Sequence, residues 1–369
     1  MLAAAVMLAC SAYEAHAVSD NDIETLITQR LMPVMLGKDN IGGVAVAVRI
    51  EGRTLFFNRG VADMASRRPV TTDSLFNVGS VRKVLETTIL AQAAQRGELS
   101  FDDPVAKYVT ELQSGGAIRT VTLGQLAAHT SGLLLPTDHP PWPTEGYTLA
   151  DFIRVLNAWT PEPGQQPGQQ RVYTHAGYVL LQLALERRFR MPIGQLFAQR
   201  ILKPLGMSET VLPENPHNGI HAPLPNAVQG YGEDGEPVGV PGNQQGYFEF
   251  PGTGQLFSSA RDLSVLLAAN LGEGPADTEL TAAMQRTQQP AFLVDSHDAQ
   301  ALAWEINDIA GPTIIDKPGG INNSSAYIGM VPAQKLGIVI LVNRGSRNPY
   351  EVARQVILPT LARLATPAN

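Results

Sequence analysis

A single cysteine, Cys10, occurs in the whole chain, inside the short apolar run Met-Leu-Ala-Ala-Ala-Val-Met-Leu-Ala-Cys that opens it. The run ends near Ala15-His16-Ala17, an A-x-A cleavage pattern. It reads as a secretory signal peptide over residues 1–17, with export to the periplasm, although its n-region carries no positive charge. A lipid anchor at Cys10 is the competing reading, and Met7-Leu8-Ala9 fits the usual lipobox poorly. Removing residues 1–17 leaves no cysteine. That excludes a disulfide framework, a thiol nucleophile and a thiolate zinc site. Basic residues are also few: 27 Lys and Arg against 34 Asp and Glu, a formal charge of -7, and no basic block. Nucleic acid is therefore not an expected partner. No apolar run reaches the roughly 20 residues that a transmembrane helix needs.

Lysine is scarce as well, so each lysine's neighbours carry information. The six are Lys38, Lys83, Lys107, Lys203, Lys317 and Lys335, and only Lys83 has a serine three residues before it. In Ser80-Val81-Arg82-Lys83, a helix starting at Ser80 would bring both side chains to one face. A serine hydroxyl becomes a strong nucleophile only when a base takes its proton. A lysine can be that base if its surroundings favour the neutral amine. Backbone N–H groups at a helix start would also favour a developing oxyanion. Serine is a common N-cap too, so Ser-x-x-Lys alone leaves a capping role open.

The mature part, residues 18–366, has the length of one large domain. Capping and amphipathic spacing predict a helix over residues 19–35, with Pro33 near its end. Apolar, β-rich runs at 44–50 and 54–58 predict a hairpin across Glu51-Gly52-Arg53. The middle of the chain reads as helices and loops, with helices at 123–128, 149–158, 178–188, 191–202, 260–271 and 278–287. Residues 213–254 form a long Pro/Gly/Asn-rich stretch with little periodicity. Strands return at 313–316, 325–331 and 336–343, and a helix closes the chain over 349–364. The economical fold is α/β of the α+β kind: strands from both chain ends form one antiparallel sheet flanked by helices. Residues 18–80 and 255–366 would form this sheet lobe, and 81–254 a mainly helical lobe. Ser80 then lies at the junction, where pockets form.

Two further clusters join the first. Tyr173-Thr174-His175 follows a Pro/Gly loop and opens a helix, where a tyrosine can equally be core packing. Lys317-Pro318-Gly319-Gly320 reads as a strand end followed by a turn, or as a charged strand edge that a substrate can approach closely. Ser-x-x-Lys, a Tyr-x-Asn-like triplet and Lys-x-Gly, in this order and at these separations, resemble the class C β-lactamase family, which also holds DD-peptidases and serine esterases. The likeness spans nearly the whole mature chain and includes His129-Thr130-Ser131-Gly132-Leu133, Lys203-Pro204-Leu205-Gly206 and Gly252-Thr253-Gly254.

The resemblance implies a β-lactamase/transpeptidase-like fold and these roles. Ser80 attacks the carbonyl and forms an acyl-enzyme. Lys83 and Tyr173 serve as base and then acid, while Lys317 keeps the Tyr173 region electropositive. The N–H groups of Ser80 and Gly320 form the oxyanion hole, with Gly319 beside it for substrate. Asn348, in an Asn-Pro pair, and Arg347 would bind the substrate carboxylate. No cofactor is implied, and the partner is a small β-lactam or peptidoglycan-like substrate; the expected state of the chain is a monomer.

Three positions depart from the family pattern: His175 stands for asparagine, Pro318 for a hydroxyl residue, and the region of Leu135-Pro136 for a glutamine that binds the acylamide side chain. They point away from the usual cephalosporin profile and toward substrates without a large acylamide, such as carbapenems. An imidazole at 175 predicts an acid limb below about pH 6.5. The alternatives are a DD-peptidase or esterase, a penicillin-binding protein that acylates without turnover, and a zinc site using His175 with His129 or a loop histidine. His217 and His221 stand at H-x-x-x-H spacing, but Pro216, Asn218 and Gly219 argue against a helix there.

Overall fold

The computed structural model describes residues 18–134, 148–213, 224–242, 255–321 and 323–366. The signal-peptide region, the Leu135-Pro136 segment and the His217/His221 pair lie outside the described residues.

Alternation in the two end segments builds the sheet. In the strand Gly43–Ile50, the large residues Val44, Val46, Val48 and Ile50 face one side and Ala45 and Ala47 the other. The strand Leu336–Val342 repeats this, with Ile338 and Ile340 on the first side and Val339 and Leu341 on the second. The two pair antiparallel, Val46 opposite Ile340. Among the described residues nine strands form one sheet, ordered by residue as 68–69, 53–63, 43–50, 336–342, 324–331, 314–321, 305–307, 298–300 and 292–293. The first side packs on the two terminal helical segments through Ile23, Ile27, Leu31, Ile357 and Leu361. The second packs on Ala260–Asn270 and Lys83–Gln95 in a larger core that reaches into the central helices.

The predicted helices at 149–158 and 278–287 form as Leu149–Ala158 and Thr278–Thr287. A capping box between Thr148 and Asp151 starts the first. The helices predicted over 19–35 and 191–202 run a short way past their prolines, to Leu36 and Leu205. Each of three helices carries a π turn, at Ile27–Leu31, Ala198–Leu202 and Ala353–Ile357, just before a segment with Pro33, Pro204 or Pro359 in its first turn. The residue four before each proline lies inside the π turn. Proline cannot donate to that carbonyl and clashes with it in a regular helix. The wider turn lets the chain continue.

The strand predicted to end before Lys317 is a correction: it runs on from Ile314 to Ile321 and includes Lys317, Pro318, Gly319 and Gly320. Along it the pairing to Glu305–Asn307 reaches only as far as Asp316, while pairing to Ser324–Val331 continues to Ile321. Residues 317–321 therefore present a free edge. Pro318 is tolerated there because the side that would need its N–H faces away from the partner strand. By the two-residue alternation Gly320 turns its N–H to the same free edge.

Candidate active site

Ser80 does not begin an α-helix. It lies in the 3-10 turn Gly79–Arg82, and the α-helix starts at Lys83. Gly79 takes φ +50°, and Asn77 Oδ1 accepts from its N–H at 3.0 Å. The turn is pressed onto the free edge of Ile314–Ile321. A Cβ on Gly319 would stand 2.1 Å from the Val78 carbonyl and 3.2 Å from Ser80 N. One on Gly79 would stand 2.8 Å from Gly320 N. Only glycine allows the two backbones so close.

Lys83 is fully buried, and its Nζ donates to Ser80 Oγ at 3.2 Å. Tyr173 Oη lies 2.7 Å from the same Ser80 Oγ. Tyr173 comes from the loop just before the helix His175–Phe189, whose N-cap Thr174 accepts from Gly177 N at 3.1 Å. Its ring stacks on His129 at 4.2 Å between centroids, and Lys317 Nζ stands 5.0 Å from its centre. The His175 ring meets it edge-on at 5.6 Å. His129 has φ +55° just past the helix Leu123–Ala127, and its Nδ1 accepts from Thr174 N at 3.4 Å.

The two histidines are held neutral. Burial, then Lys83 and Lys317, lower His175 to about 3. Burial, then Lys317, Lys83 and Arg171, push His129 well below its ordinary value. An acid limb set by His175, expected below about pH 6.5, would therefore lie near pH 3. Among the described residues no group of three or more His, Cys, Asp and Glu is placed to hold a metal ion.

Lys317 is 1 % exposed and sits 3.9 Å from Glu305 Oε1. Arg171 donates to Glu305 Oε1 at 3.1 Å, and Arg354 and Tyr350 Oη to its Oε2, both at 3.2 Å. Arg354 also grips buried Asp316, whose Oδ2 accepts from Tyr327 Oη at 2.7 Å. Burial pushes Glu305 up, but Lys317, Arg171 and Arg354 outweigh it and hold the carboxyl below its ordinary value. Sequence reasoning missed Glu305, on the three-residue strand Glu305–Asn307 that has no period to detect, and with it Asp316 on Ile314–Ile321 and Arg354 in the last helix, which only the fold brings to it.

Ser80, Lys83, Tyr173, His175, Lys317, Gly319 and Gly320 thus meet at one junction of turn, strand edge and helix start. Arg347 and Asn348 make their contacts elsewhere. The Arg347 guanidinium lies against Gly37 and 3.9 Å from Asp39. Asn348 Oδ1 accepts from Tyr350 N at 3.0 Å, capping the start of the last helix. Chemically, the junction offers a hydroxyl in hydrogen-bond reach of an amine and a phenol, backbone N–H groups from the turn and the strand edge, and two buried lysines. That suits acyl transfer to serine.

The β-lactamase family profile matches residues 24–360. A β-lactamase of Pseudomonas fluorescens is 28% identical over 364 residues, covering 90% of this chain and 96% of that protein. Among solved structures, a class C β-lactamase superposes with a TM-score of 0.78 at 27% identity, over 95% of this chain and 97% of the other. A β-lactamase/D-alanine carboxypeptidase from Pseudomonas syringae gives 0.77 at 26% identity, over 93% and 98%.

Proposed function

The chain belongs to the β-lactamase family of serine hydrolases, and from that premise we propose that it is an exported serine β-lactamase working through an acyl-enzyme on Ser80. The observation that carries this reading is the double contact on one oxygen: Ser80 Oγ has Tyr173 Oη at 2.7 Å and Lys83 Nζ at 3.2 Å. A proton leaving Ser80 has two acceptors in reach, and the same pair can return it to the departing amide nitrogen. The attacked carbonyl oxygen would rest between the N–H groups of Ser80 and Gly320, whose backbones the glycine contacts bring side by side. Lys317, beside the Tyr173 ring, keeps that region electropositive and favours the substrate carboxylate. Water then releases the acyl group with the same two residues acting as base.

Substrate choice is the finer part of the proposal. Pro318 offers neither hydroxyl nor N–H, and Arg347 and Asn348 are engaged by Asp39 and Tyr350 N. Recognition of the substrate carboxylate then falls mainly to Lys317. The replacement of the family's acylamide-binding glutamine near Leu135-Pro136 acts on the side chain instead, and a β-lactam with a small 6- or 7-position substituent, such as imipenem, loses least from it. The engagement of Arg347 and Asn348 elsewhere favours a second reading, a D-alanine carboxypeptidase or esterase with these residues.

Intact mass after brief exposure to penicillin, a cephalosporin and imipenem tests both. The expected result is a transient adduct with imipenem, turnover in excess of enzyme, and no adduct on Ser80→Ala. An adduct on Ser80→Ala overturns the nucleophile. Hydrolysis of a p-nitrophenyl ester with no β-lactam turnover selects the second reading, and a persistent adduct marks a penicillin-binding protein.

A further inference from the structure

Behind Lys83 the helix buries a second charged pair. Glu86 lies one turn further along, on the same face as Lys83 by its i+3 spacing. It is 0 % exposed, and its Oε1 accepts from Arg82 Nε at 2.8 Å, Arg82 being only 3 % exposed. Its Oε2 is buried and has no hydrogen-bond partner among the described residues. Arg82 is itself fixed: its guanidinium donates to Gln182 Oε1 and lies 5.7 Å from the centre of the Phe197 ring. Gln182 in turn donates to Glu186 Oε1 at 3.0 Å. Facing this pair from the helix His175–Phe189 are Tyr178 and Glu186; Lys83 Nζ lies 5.0 Å from the Tyr178 ring centre. The helix Thr278–Thr287 also packs on Lys83–Gln95, but its charges are used elsewhere: Glu279 pairs with Arg96, and Arg286 lies over Phe101. On the substrate side Lys83 faces Tyr173, His175, His129 and Lys317.

A buried carboxylate with one orphan oxygen is expensive, because water no longer solvates it. Burial raises Glu86 to about 7 against the opposing pull of Arg82 and Lys83. Both ionisation states are thus accessible at working pH, next to the amine whose proton the reaction needs moved.

We propose that Glu86 is a positioning residue for the acylation chemistry: through its charge it sets how readily Lys83 releases and regains a proton. Ionised Glu86 favours the ammonium form, and neutral Glu86 favours the free amine that can accept from Ser80. Once Glu86 is ionised it holds the Lys83 proton to a higher pH. This rests on the reading of Lys83 as proton acceptor above.

The test is a pH titration of the apo protein by NMR with 13C at lysine Cε, where six lysines give few signals and Lys83→Met assigns one. In Glu86→Gln, which still accepts from Arg82, the Lys83 titration should move down by about one pH unit, a tenfold gain in neutral amine near the midpoint. The acid limb of acylation should move with it, whereas a merely structural role would lower the rate without moving the limb. Should Glu86→Gln fail to fold, the reciprocal measurement replaces it: the Glu86 carboxyl carbon in Lys83→Met should titrate about one unit higher than in wild type. Unchanged titrations in these variants overturn the proposal. Neither titration uses a β-lactam, so a protein whose Ser80 is never acylated would overturn the function and leave this coupling standing.

Discussion

Two lysines are buried in this site, and their surroundings differ. Lys317 stands on a strand, 3.9 Å from Glu305, in a lattice where Arg171, Arg354 and Tyr350 hold that carboxyl ionised despite burial. Lys83 stands on a helix, donating to a hydroxyl, with Glu86 behind it raised to about 7. One carboxyl is locked in its charge and the other is poised. The lattice around Lys317 fixes a field. On the proposed reading, the contacts around Lys83 let a proton change hands. A lysine can accept a proton where burial and neighbouring cations favour its neutral form, and an ionised carboxylate behind it opposes that.

The comparison can be broken most severely at the joint between the two lysines. Gly319→Ala puts a methyl 2.1 Å from the Val78 carbonyl and forces the strand of Lys317 away from the turn of Ser80. A shift of about 1 Å at reacting groups costs about 100-fold, and acylation should fall by at least that much. Stopped-flow acylation checks it; a rate within about threefold of wild type would mean the two backbones have room to spare.

Glu305→Gln is expected to act through the lattice. It leaves Arg171 and Arg354 with a neutral partner, which should cost about 3 kcal/mol in a urea titration, since breaking a buried pair leaves charge uncompensated. The acid limb of activity should stay in place, because the titrating groups lie on the Lys83 side. A limb that moves with Glu305→Gln would erase the distinction drawn between the lysines.

His175→Asn should have the smallest effect near neutral pH. With its pKa at about 3 the imidazole is already neutral there, as an amide would be. The folded value lies below the unfolded value of about 6.5, so the stability it contributes is complete above about pH 6.5 and is lost as pH falls toward the folded value. Between pH 7 and pH 4 the wild type should lose about 2 kcal/mol more than His175→Asn, after allowance for partial exposure. Parallel stability curves for the two proteins would show that the ring is not buried in its neutral form.

The chain spells out part of this site. Ser80 and Lys83 are visible because their spacing is short and lysine is rare. The sheet is visible because Val44 to Ile50 and Leu336 to Val342 alternate. Lys317 is visible as a motif, yet its strand continues where Pro318 and two glycines suggest a turn, because a free edge needs no N–H from proline and a close neighbour needs glycine. Glu86 is hidden in a helix buried on every side, which leaves no polar face to betray it. Glu305 is hidden because Glu305–Asn307 is too short to show a period, and its meaning comes from partners 134, 12 and 49 positions away: Arg171, Lys317 and Arg354. Contacts at that separation are set by topology, which no local pattern encodes.

The most direct measurement is the acylation rate of Lys83→Arg beside that of Lys317→Arg, with each alanine variant as reference. Arginine keeps the charge but does not release a proton at working pH. Lys83→Arg should therefore fall by about 1000-fold or more, nearly as far as Lys83→Ala, while Lys317→Arg keeps more than about a tenth of the wild-type rate. Lys83→Arg retaining more than about a tenth, or Lys317→Arg failing as completely as Lys83→Arg, would contradict the division of labour between the two lysines.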